Sequence, residues 1–155
     1  MKLQPTFSRI RIWAVVFASL LVAGTISARA DEFKFEAQLI WATNDQKSPE
    51  EKHKAVEAEI QKKLESLGLK WKNFFEVKRV AFTAPKGESG KVVISEKCSI
   101  SVKVLEDKKL EVIFYGKKGE VCSRQIQPLK TDEVLVHGGN AANETAWLVT
   151  LKRLK

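Results

Sequence analysis

Two hydrophobic periods divide the chain beyond residue 30. Residues 33–43 set Phe33, Phe35, Ala37, Leu39 and Trp41 on one face at a spacing of two, which predicts a half-buried strand ended by Asn44-Asp45. Ser48-Pro49-Glu50-Glu51 then carries helix-start chemistry: a serine N-cap, proline at the first helical position, and Glu51 closing a capping box. The pattern predicts a helix over 49–67. Val56, Ile60, Leu64 and Leu67 form its apolar stripe, Glu50/Lys54 and Glu59/Lys63 pair on the wet side, and Gly68 ends it.

From Trp71 onward the period is two. Strands are predicted over 72–83, 91–95, 97–105, 109–115, 119–129, 133–137 and 146–154. The cleanest is 97–105, where Cys98, Ile100, Val102 and Val104 alternate with Lys97, Ser99, Ser101 and Lys103. Glu106-Asp107-Lys108 and Gly116-Lys117-Lys118-Gly119 are short enough to be hairpin turns, so three consecutive strands form an antiparallel meander. Residues 84–90 read as an exposed loop.

The expected architecture is therefore α+β, in β-α-β-β-β-type order. It has a mostly antiparallel sheet of about six or seven strands, with one long helix, roughly 28 Å at 1.5 Å per residue, packed on one face. One helix cannot cover so wide a sheet. The sheet curls, leaves a face solvated, or offers it to a partner, and Leu105, Ile113 and Tyr115 are candidate outward positions. Phe33, Phe35, Trp41 and Trp147 are expected to pack under the helix, with Trp71, Phe74 and Phe75 just beyond its end.

The first thirty residues belong to a different class. Lys2, Arg9 and Arg11 precede an apolar run from Ile12 to Ile26, followed by Ser27-Ala28-Arg29-Ala30. These are the three parts of a secretory signal peptide, with cleavage expected after Ala30. The apolar run is shorter than the ~20 residues that cross a bilayer, so no stable membrane span is expected after cleavage. Residues 31–155 then form a single exported domain, periplasmic or extracellular. Export also changes the charge: the whole chain has 27 Lys+Arg against 19 Asp+Glu, and losing Lys2, Arg9, Arg11 and Arg29 leaves 23 against 19. So mild an excess, with no basic run longer than two in that domain, does not suit a nucleic-acid backbone.

Few residues suit chemistry. Cys98 and Cys122 are the only cysteines, and an even count in an exported chain suggests a disulfide. In a regular meander, however, their strands are separated by a middle one, about 9.6 Å, which is too far to bond. A bridge needs those strands to be neighbours or to face each other; otherwise the two are small hydrophobes. His53 falls at the edge of the predicted helix. His137-Gly138-Gly139-Asn140 opens a predicted loop reaching Glu144 and is the one candidate ligand loop, although no Gly-x-Ser-x-Gly nucleophile elbow accompanies it. No zinc spacing, phosphate loop or calcium loop is present, so no cofactor, metal site or catalytic set is assigned.

These features point to an exported non-enzymatic binding or assembly module. It would contact a protein or envelope component through a sheet edge or an uncovered sheet face. The alternative is a small exported enzyme or ligand-binding protein with its site at the His137–Glu144 loop.

Overall fold

A computed structural model describes residues 31–128 and 130–155; the expected signal segment and cleavage point lie outside them. The elements are β1 (Glu32–Thr43), β2 (Lys54–Ala55), α1 (Ala58–Ser66), β3 (Asn73–Pro85), β4 (Ser89–Ser95), β5 (Cys98–Val104), β6 (Lys109–Tyr115), β7 (Val121–Pro128), β8 (Val134–Asn140) and β9 (Ala146–Arg153). They form two antiparallel sheets, one in the order β2-β3-β1-β9-β8 and one in the order β4-β5-β6-β7. The expected single sheet under a long helix is therefore wrong. A second sheet, not a helix, covers most of the first, which gives a β-sandwich with a small helical cap on its far side.

The helix is short because residues 54–56 have stronger partners elsewhere. Lys54 and Ala55 pair with Glu76 and Phe75 of β3, and Val56 N–H donates to Phe74 C=O at 3.2 Å. Those bonds hold the segment extended, and helical geometry begins only at Ala58. Ser48 does not cap the helix: its hydroxyl lies 2.6 Å from His53 Nδ1, inside the preceding turn. His53 consequently sits before the helix with its side chain buried, rather than on the helix edge. The C-terminal signal does hold, since Gly68 takes φ +64° and its N–H donates to Glu65 C=O.

The first sheet carries buried apolar residues on both faces. Phe35, Ala37, Leu39, Leu135, Val149 and Leu151 face the second sheet, meeting Val92, Ile94, Ile100, Val102, Leu110, Val112 and Phe114. Ile40, Ala42, Phe74, Val134, Ala146 and Leu148 face the cap, where Val56, Ile60, Leu64 and Trp71 cover them. The Phe33/Phe35/Trp41 face and Trp147 thus turn toward the second sheet rather than the helix. The sequence pattern could not separate these cases, because one alternating face fits either cover. Leu67 of the expected stripe is exposed.

The cap covers only half of its face. Beyond it lie Glu36, Gln38, Arg79, Thr150 and Lys152. Arg79 pairs there with Glu76 at 2.6 Å, Glu57 at 2.7 Å and Glu36 at 3.4 Å. Its guanidinium pKa is raised, chiefly by the bond to Glu76. Lys152 reaches Glu59 of α1 at 2.8 Å and so ties the cap to β9. The pairing of β1 with β3 shifts at Leu39/Ile40, where Val77 is the extra residue of a bulge. Among the described residues no helix is long and apolar enough to cross a membrane.

Candidate functional site

A β-sandwich offers four terminal strands, and three of these carry protection against pairing with another chain. β2 is two residues long. β4 contains Lys91, is bulged between Val93 and Ser95, and packs closely beside β3. β7 contains Arg124, is bulged between its partners Phe114 and Tyr115, and ends in Pro128. β8 is different. Its seven residues, Val-Leu-Val-His-Gly-Gly-Asn, include no Lys, Arg, Asp, Glu or Pro, and its register with β9 runs from Val134↔Lys152 to Asn140↔Ala146 without a shift.

The hairpin joining β8 to β9 sets the phase of the ladder. Ala141 N–H donates to Thr145 C=O at 2.9 Å, so by alternation residues 135, 137 and 139 face β9. The N–H and C=O groups of Val134, Val136, Gly138 and Asn140 point away from the sheet. Trp71 Nε1 donates to Glu144 C=O at 2.6 Å and pins this hairpin to the cap; Asn143 and Glu144 take φ of 57° and 58° in its turn.

A cleft flanks the edge on each face. On the second-sheet side a cleft of about 480 Å³ is lined by Leu39, Cys98, His137, Gly139, Trp147 and Val149, with the Ser95-Glu96-Lys97 turn at its rim. Trp147, 41% exposed, forms an edge contact with Trp41, ring centroids 4.5 Å apart. On the cap side a hollow of about 280 Å³ is lined by Leu67, Leu69, Trp71, Val136 and Leu148. Gly138 and Gly139 border both. A Cβ on Gly138 would overlap Leu148 Cδ2, whereas a Cβ on Gly139 would meet nothing within 4 Å. The first glycine permits close packing of the hairpin; the second leaves the larger cleft open.

Burial disfavours the charged forms of His137 and Cys98. His137 stacks on Phe114 at a centroid distance of 4.1 Å and an interplanar angle of 19°, and burial lowers its pKa. Burial also raises the Cys98 pKa, with a smaller contribution from Cys122. A thiol pushed up is a poor nucleophile. Cys98 is half-buried, Cys122 is exposed, and both are free. The cause is the strand order: β6 lies between β5 and β7, so neither condition for a bridge is met.

The expected loop at His137–Glu144 proves to be strand as far as Asn140, with only residues 141–145 connecting to β9. All four candidate residues, His137, Gly138, Gly139 and Asn140, therefore lie along one open edge. Sequence reasoning missed Leu39, Trp71 and Trp147 as neighbours of this segment. Leu39 and Trp71 come from distant parts of the chain, while the spacing to Trp147 was legible only once 138–140 was seen to pair. Among the described residues no group of three or more His, Cys, Asp or Glu is placed to hold a metal ion. Comparison of the chain with models of known protein families, with curated proteins and with solved structures returns no match, so function must be read from this geometry.

Proposed function

We propose that this protein is an exported, non-enzymatic binding module that captures an extended polypeptide segment along the free edge of β8. The carrying observation is that β8 alone among the four terminal strands has no charge, proline or bulge to deter pairing. An added strand would bond to the outward groups of Val134, Val136, Gly138 and Asn140, the mode called β-augmentation. Successive side chains of that strand point to opposite faces. One enters the cleft beside Trp147 and the next the hollow beside Trp71, so the preferred segment carries two adjacent apolar residues, the larger toward Trp147. The imidazole and thiol in the larger cleft, whose charged forms burial disfavours, suit such a guest.

The test is selection of peptides from a displayed random library on the purified protein, followed by amide exchange of the complex. Selected peptides are expected to carry adjacent apolar residues and to slow exchange at Val134, Val136, Gly138 and Asn140. Val136→Pro removes an outward donor without touching the β9 ladder, and capture should fall at least ~100-fold while circular dichroism is unchanged. Peptides that protect another strand, or that bind Val136→Pro as tightly as the parent, would sink the reading.

A further inference from the structure

The opposite end of the sandwich holds a cavity of different character. About 910 Å³ in volume, it opens where the start of β1 and the end of β9 meet the β5–β6 turn, Pro128, Lys130 and Thr131. Its floor is apolar: Val104 and Leu110 are buried, and Phe33 is half-buried beside them. Its rim is cationic, with Lys86, Lys108, Lys130 and Arg153 against the two carboxylates of Glu106 and Asp107.

None of those four cations makes an ion pair with a described residue. The ion pairs lie elsewhere, at Lys52, Arg79, Arg124, Lys152 and Lys155. Arg153 instead spreads over the Phe33 ring, 4.8 Å from its centroid, which holds a guanidinium at the boundary between floor and rim. Lys108 takes φ +55° at the end of the turn that also carries Glu106 and Asp107. Unpaired cations around an apolar opening set the chemistry of a complementary guest: a negative head and a hydrocarbon body.

We propose that this cavity binds one molecule of a single-chain anionic amphiphile. Its carboxylate or phosphate head sits among Lys86, Lys108, Lys130 and Arg153, and its chain enters between the sheets over Phe33, Val104 and Leu110. The site is independent of the β8 edge. Phe33 and Leu39 of β1 mark the two ends, and six residues of strand put about 20 Å between them.

Calorimetric titration of the protein, in the form the cell produces, with monomeric dodecanoate and dodecyl phosphate tests the assignment. Binding of at least one at a 1:1 ratio is expected, and the tighter one names the head group. The double variant Lys86→Gln/Lys108→Gln should bind at least ~tenfold more weakly, because charge-assisted bonds to the head are lost. The double variant Lys62→Gln/Lys63→Gln, on the helical cap, should bind as the parent does. Equal affinity for dodecyl maltoside would show that charge is irrelevant and overturn the proposal. Equal affinity for inorganic phosphate would do the same for the hydrocarbon chain. Binding only to vesicles of anionic lipid, with none of the monomeric probes taken up, would replace the cavity with a surface and also overturn it.

Discussion

β7 and β8 each close one sheet, are of similar length, and pair on one side only. They solve the problem of a free edge in opposite ways. β7 is peripheral and guarded: its positions facing the first sheet are Ser123, Gln125 and Gln127, none is buried, and Arg124 pairs with Glu111 on the outer face. β8 is integrated and unguarded: Val134 and Leu135 are buried in different cores, and His137 is stacked on Phe114 of the other sheet. The contrast teaches that guarding does not follow from exposure alone. A rigid, well-anchored edge without guards is what strand capture requires, because the template must not lose order when the guest arrives.

The largest expected effect breaks the anchoring half of this contrast. Phe114→Ala removes a fully buried ring that supports His137 and should cost about 3–5 kcal/mol in urea unfolding. Arg124→Ala on β7 should cost no more than about 1 kcal/mol, since its ion pair is exposed. Equal losses would mean that the two edges are equally integrated.

The two glycines sharpen the comparison within β8. Gly138→Ala forces a methyl group into Leu148 and should destabilise by about 1–3 kcal/mol. A Cβ at Gly139 meets nothing within 4 Å and the cleft lies beyond it, so Gly139→Leu should keep the melting temperature while peptide capture falls at least ~tenfold as the cleft fills. If Gly139→Leu leaves capture intact, the guest does not use that cleft.

Exchanging the guards probes the edges directly. Val136→Lys gives β8 the charge that β7 owns and should weaken capture, read by titration with a selected peptide. Arg124→Val strips β7, and sedimentation should then show more self-association than the parent does. The smallest effect is on pH. Burial holds the His137 pKa below its ordinary 6.5, so the unfolded chain takes up a proton that the folded one refuses. Its contribution is complete above pH 6.5 and is lost as pH falls through the lowered folded value. His137→Phe keeps the stack and should flatten that part of the stability profile measured against the parent.

The strands were legible because half-buried strands alternate, and the meander register Ile100↔Phe114 follows from turn length alone. The layering was not legible. A row such as Phe33, Phe35, Ala37 and Leu39 states that one face is covered, not by what. The helix start was misread because Ser48-Pro49-Glu50-Glu51 satisfies local rules that the pairing of Lys54 and Ala55 with β3 overrides. His137-Gly138-Gly139-Asn140 drew attention as a glycine-rich segment, yet the property that makes it a candidate site is an absence of charge along an edge. That property has meaning only when the strand's position in the sheet is known.

The three-carboxylate clamp on Arg79 has a consequence for folding accuracy. From Leu39 to Ala42 every residue of β1 is apolar, so sliding that stretch by one residue would still present hydrophobic groups to both covers. Within that stretch alone hydrophobicity leaves the alignment open, and the alternation of Phe33, Phe35 and Ala37 with Lys34, Glu36 and Gln38 is what sets it. A slip would also carry Glu36 away from Arg79 and misplace the extra residue Val77. The charged, half-exposed corner thus adds a second register mark to the one that the alternating half of the central strand already carries.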